Sequence, residues 1–259
     1  VTRPAAPAQA AGGPSSAATR LKTQTAMELR LTARRGENVL VTIVIPVIVL
    51  VFFSSLSILP TGATSPVDFL LPGAMALAII ATSLVNLGIA TAYERHYGVL
   101  KRLGGSPLTR SGLLSAKMLA VLVVEVAQIA LLVAVAAGIL GWRPAPNTSI
   151  PLVAIGLVLG TAAFSGLGLL LAGALRAEAT LALANGLFLG FLLLGGIILP
   201  ISHLPPLLES LASVLPASAL ADTFRVALGQ GGDVTGPIAV LIVWGVGAVV
   251  LAARTFRWE

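Results

Sequence analysis

The stretch MLAVLVVEVAQIALLVAVAAGILG, residues 118–141, runs for 24 residues with a single charge, Glu125, and with Gln128 three positions further on. At about 1.5 Å of rise per residue, some 20 helical residues match the roughly 30 Å of hydrocarbon in a bilayer. The stretch therefore reads as a transmembrane helix. A central acid costs on the order of 2.5–3.5 kcal/mol on insertion scales, so Glu125 should face a bundle interior or a wet cavity. Gln128 lies on the same helical face at i+3. Asn86 and Asn185, in two other apolar stretches, are the polar residues available to join Glu125 and Gln128 in a substrate pathway or a proton relay. A buried hydrogen bond of purely structural role is the competing reading.

Five more apolar stretches, at 39–59, 69–92, 150–175, 181–200 and 235–253, have the same character. With 57% hydrophobic and only 10% charged residues in 259, the chain departs far from soluble domains, where about a quarter is charged. The fold class expected is all-α: a polytopic membrane protein of six transmembrane helices. Fourteen of its sixteen lysines and arginines fall on one side of those spans, leaving only Arg143 and Arg225 on the other. Because short basic loops stay in the cytoplasm, both termini are expected inside, in a plasma membrane whose anionic lipid headgroups attract the scattered cations. The Val1 start and the Ala, Gly, Arg and Pro bias point to a GC-rich bacterium.

The composition also excludes chemistry. There is no cysteine, the two histidines His96 and His203 sit in separate loops, and no Gly-Lys pair exists from which a nucleotide-binding P-loop could be built. No metal site, no bound cofactor and no enzymatic activity are expected of this chain, and the basic residues form no stripe suited to nucleic acid.

Between the spans, three segments stand out. Residues 1–18 read as a disordered tail and 19–259 as one transmembrane domain, entered through a basic helix over 19–38 lying along the membrane surface, or else a solvated linker. Residues 201–234, broken by Pro205, Pro206 and Pro216, suit a re-entrant or interfacial hairpin on the outer side, since the run 207–215 is too short to cross a bilayer. The inner loop 93–117 places Tyr93, Tyr97 and Leu100 at i, i+4 and i+7, an apolar ridge on an amphipathic helix over 93–103. Gly104, Gly105, Ser106 and Pro107 should end it, with Ser106 capping the next helix.

That loop, with Glu94-Arg95, Gly98, Leu100-Lys101-Arg102-Leu103 and Pro107-Leu108, resembles the cytoplasmic loop of permease subunits of type-2 ABC exporters, the group that includes daunorubicin-resistance permeases. Leu71-Pro72-Gly73, the run Gly195-Gly196-Ile197 with Pro200, and Leu215-Pro216 followed by Arg225 are similar in order and spacing, over about residues 20–259. The resemblance implies a permease that forms a path for export, and the almost wholly apolar lining available to that path implies an amphipathic cargo, a lipid, a lipid-linked glycan or a hydrophobic drug. Cytoplasmic ATPase subunits holding ATP and Mg would power it, and a second permease chain would complete the path. It assigns ATPase coupling to Tyr93, Glu94, Arg95, Tyr97, Gly98, Leu100, Lys101, Arg102 and Leu103, so that Leu100→Asp should uncouple the ATPase and leave insertion intact. Gly104 and Gly105 stand where bulkier or charged residues are usual in that family, which should loosen the end of the coupling helix. The alternative from a different class is a proton-coupled secondary transporter using Glu125.

Overall fold

The computed structural model describes residues 16–34, 36–56, 65–105 and 109–255, with the side chains of 36–41 left aside. The expected tail, the loop around Pro60, Ser106 to Leu108 and Trp258 lie outside the described residues. Everything regular in what remains is helix: α1 Ala17–Arg34, α2 Gly36–Ser55, α3 Pro66–His96, α4 Val99–Gly104, α5 Arg110–Ile139, α6 Ile150–Ala174, α7 Ala177–Leu194, α8 Pro206–Ser213, α9 Pro216–Ala227 and α10 Thr235–Thr255.

Five of these, α3, α5, α6, α7 and α10, are long and apolar enough to cross a membrane, so the chain is a multi-pass membrane protein. The apolar, described part of α2, Thr42–Ser55, falls short of that length by itself. Lipid tails are as apolar as leucine, so such a bundle is held by close packing and buried polar contacts more than by the hydrophobic effect. The middle of α3 is almost wholly enclosed, with Leu70, Leu71, Met75, Leu77, Ile79 and Leu84 fully buried. Around it stand α2, α5, α6, α7 and α9, while α6 also packs along α10. A Cβ on Gly168 of α6 would meet the carbonyl oxygens of Leu84 and Ser83 at 2.8 and 2.9 Å, so only glycine lets α6 approach α3 this closely. Gly156 and Gly160 likewise seat Phe224 and Leu220 of α9, whereas Gly186 and Gly190 on α7 touch nothing within 4 Å.

Several boundaries differ from the sequence reading. α3 begins at Pro66 behind the cap Ser65 and continues to His96, because Asp68 and Ser65 close the first turn and nothing interrupts the chain before Gly98. α5 starts at Arg110 with Thr109 as its cap, its side chain accepting from the Gly112 N–H at 3.1 Å, so that eight polar-rich residues extend the expected span. α7 stops at Leu194, not at Pro200: Gly195 caps it and Gly196 turns to a positive φ of 64°, after which Ile197 is buried against Gly73. Trp142 is buried in the core.

Residues 201–234 form a 3₁₀ turn at Ile201–His203 and the two short helices α8 and α9. The 12-residue α9 is about 18 Å long, too short to span, and is buried along most of its length against α3, α6 and α10. Arg225 fixes its end by pairing with Asp222 at 2.6 Å, donating to the Gly196 carbonyl and lying 4.4 Å from the Phe69 ring centroid. Asp233 opens α10 by accepting from the Thr235 and Gly236 N–H groups, and the Thr235 bonds foremost hold its carboxyl below the usual range.

Candidate functional site

Two buried polar clusters share α5, one at its foot and one near its middle. Around Glu125, which is fully buried, α3 gives up the regular α-helical pattern for a π-helical segment, Ile80–Asn86, in which the Leu87 N–H reaches back to the Thr82 carbonyl. Segments of this kind occur often at functional sites. Here the wider turn presents Thr82 and Ser83 to α5. Ser83 donates to Glu125 Oε1 at 2.5 Å and accepts from Ser165 at 3.1 Å, while the Thr161 hydroxyl is shared between Glu125 Oε2 and the Leu157 carbonyl. One turn on, Gln128 accepts from Thr82 at 2.9 Å and donates to the Thr42 carbonyl and hydroxyl at 3.3 and 3.4 Å. The cluster thus ties α2, α3, α5 and α6 at one level. Among the described residues no lysine or arginine meets Glu125.

Of the four residues expected together, Glu125 and Gln128 are neighbours in this cluster. Asn86 is half-buried and lines a separate cavity of about 40 Å³ with Thr82, Ala90, Ala120, Glu28, Glu94 and Lys117 among its walls. Asn185 is not part of it: its side chain is exposed on α7 and donates to the Leu181 carbonyl of its own helix at 2.8 Å.

At the foot of α5, Lys117 is 2% exposed and its ammonium reaches Glu28 Oε2 at 2.9 Å and Glu94 Oε2 at 2.7 Å. Glu28 comes from α1, where Gln24 also donates to it at 2.8 Å, and Glu94 comes from the last turns of α3. Three helices far apart in sequence meet on one cation. Neither Lys117 nor Glu28 stood out in the sequence as a site residue; the signal was a single acid in an otherwise basic helix and a single cation at the lip of an apolar run.

The loop helix expected over 93–103 is two pieces. Gly98 takes a φ of 70°, a left-handed conformation costly for any residue with a Cβ, and turns the chain sharply between α3 and the six-residue α4. As a result the nine coupling residues divide between inside and outside. Glu94 is buried on Lys117. Arg95 donates at 2.5 Å to the Gly173 carbonyl and also to that of Leu175, satisfying carbonyls left open at the C-terminus of α6 with a charge of the favourable sign. Leu100 is fully buried among Leu87, Leu113, Leu114, Leu169 and Ala252, with Leu103 packed against that cluster. The ridge foreseen from Tyr93 to Leu100 is therefore not one continuous surface, and Leu100→Asp would damage the fold of the corner itself. Tyr97, Lys101 and Arg102 are exposed, and Tyr97 stacks on the half-buried Tyr93 with ring centroids 6.1 Å apart. Among the described residues no group of three histidine, aspartate or glutamate side chains could hold a metal ion.

The sequence model of the ABC-2 type transporter family matches residues 19–228, which takes in both polar clusters, the Gly98 corner and α9. No curated protein matches the chain.

Proposed function

We propose, from a chain that belongs to the ABC-2 type transporter family and is thus the membrane-spanning component of an ABC transporter, an export permease driven by separate ATPase subunits. ABC-2 permease domains generally work with such subunits. On this reading ATP and Mg are held by the partners, two permease chains enclose the path, α2 completes a set of six spans, and both termini lie in the cytoplasm of a bacterial cell. The short helices α8 and α9 then form the outer re-entrant element. The cargo is an amphipathic or lipid-like molecule, in keeping with spans whose exposed faces are almost wholly apolar, such as Val123, Val126 and Leu131 on α5.

The observation that supports this reading best is the α3–α4 corner. Its outer surface offers Tyr97, Val99, Lys101 and Arg102, while its inner surface is fastened by Glu94, Arg95 and Leu100. An exposed aromatic and cationic edge on a rigid backing suits a partner that pushes.

The test is co-purification of an ATP-binding subunit with this chain in mild detergent, followed by transport in vesicles with and without ATP and with the proton gradient collapsed. ATP-dependent transport that survives collapse of the gradient is expected. Transport that ignores ATP and stops with the gradient would overturn the proposal in favour of coupling through Glu125.

A further inference from the structure

We infer that Lys117, with Glu28 and Glu94, is a positioning joint that makes α1, the α3–α4 corner and the foot of α5 move as one body. The inference rests on the ATPase-driven reading for its purpose, though not for its geometry.

The corner has weak points on both sides. Gly98 precedes α4 with a positive φ and open space around its Cβ position, and α4 ends on Gly104 with Gly105 as its cap. A six-residue helix that starts at such a break and ends on two glycines transmits little force through its own backbone. α1, far from the corner in sequence, packs along α5. What joins α1 and the end of α3 to α5, across 89 and 23 residues of chain, is the ammonium of Lys117.

Apolar contacts alone would let α1 slide along α5. A cation held at 2.7 and 2.9 Å by carboxylates from two helices fixes their relative position, because its geometry and charge are lost together on displacement. The neighbouring cavity of about 40 Å³, lined also by Thr32 and Asn86, has room for about two or three waters, which softens the desolvation of the three ions without opening them to bulk solvent. A push on Tyr97, at the end of α3, is then delivered through Glu94 to Lys117, and so to α5 and α1 together, while one on Arg102 reaches α5 through Leu100, buried against Leu113 and Leu114.

The absence of native cysteine makes the test clean. Nitroxides on Thr23→Cys in α1 and Val99→Cys in α4, both exposed positions, report the distance between those helices in the purified chain in nanodiscs. A single narrow distance peak is expected, and Glu28→Gln should abolish it by freeing α1 while Glu94 keeps Lys117. Should that variant not fold, Glu28→Asp, one methylene shorter, is expected to broaden the peak partially. The exchanged pair Glu28→Lys with Lys117→Glu retains one cation and two carboxylates and should restore the narrow peak that Glu28→Lys alone loses. A peak unchanged in both Glu28→Gln and Glu28→Asp, or an exchanged pair no better than the single variant, overturns the joint.

In the complex with its co-purified ATPase, Glu28→Gln should retain ATP hydrolysis and lose transport per ATP. Hydrolysis and transport that fall in step would also overturn it. If no ATPase accompanies the wild-type chain, the reading of the preceding subsection fails and the spin-label distances still decide the joint.

Discussion

The two polar clusters on α5 sit eight residues apart, about 12 Å along the helix axis, yet they are built on opposite plans. At the foot, a full charge is answered by full charges: Lys117 with Glu28 and Glu94. In the middle, Glu125 is answered only by hydroxyls, from Ser83 and Thr161, with Ser165 behind them and Gln128 held alongside by Thr82 and Thr42. The difference follows from depth. Near the end of a span, charged side chains from α1 and from the last turns of α3 are within reach, whereas the centre of the bundle offers Ser and Thr, the polar residues that insert at little cost and bond across packed helices. The ionic cluster fixes position; the hydroxyl cluster permits small helix movements, since a hydroxyl shared between Glu125 and the Leu157 carbonyl has an alternative partner already in place.

The comparison breaks most sharply with Lys117→Met. Removing the cation leaves Glu28 and Glu94 buried without it, and a loss of about 3–5 kcal/mol is expected, read as a collapse in yield and in thermal midpoint in detergent. A midpoint close to wild type would mean that the triad is solvated and mechanically idle. Glu125→Gln should cost much less, about 1 kcal/mol, because the amide retains an acceptor for Ser83 or Thr161. We expect export in vesicles to fall in that variant while folding is kept, and unaltered transport would reduce the hydroxyl cluster to a packing element. Smaller still is the effect of Tyr97→Ala combined with Lys101→Ala and Arg102→Ala. These exposed changes should leave stability within about 0.5 kcal/mol per site and yet weaken capture of the ATPase subunit. Retained capture would move the docking surface elsewhere.

The smallest effect belongs to a charge that faces water. Asp233→Ala should lower the thermal midpoint slightly near neutral pH by removing the cap of α10. Because the folded-state pKa of Asp233 is depressed, its contribution is present above the ordinary carboxylate range and disappears as pH falls through the folded value. Wild-type and variant melting curves should therefore converge in acid. If their gap persists there, the cap acts through packing and not through its charge.

Much of the candidate site was legible as residue types and little of it as partners. Glu125 and Gln128 announced themselves because a charge or amide in an apolar run has to be satisfied, and their i, i+3 spacing put them on one face. Ser83, Thr161 and Thr42 gave no such notice, because serines and threonines in spans often do no more than bond their own i−4 carbonyls, as Thr161 also does. Asn185 shows the converse: equally polar in sequence, it faces out of the bundle. In the loop, the 3.6-residue period of Tyr93, Tyr97 and Leu100 was read as one ridge, but one glycine in the left-handed region rotates everything after it, so Leu100 went inside and Tyr97 stayed out.

What the sequence determined by itself is what depends on composition along a line: long uncharged runs that lipid accepts, an acid and an amide on one face of such a run, and the lack of any cysteine or Gly-Lys pair. The tertiary structure alone decided which polar groups meet, because partners 23 to 89 residues apart are chosen by how helices cross and rotate. That choice turns on a few local events no periodicity reveals: a π-helical segment that aims Thr82 and Ser83 at α5, the break at Gly98, and a lysine placed where three helices converge.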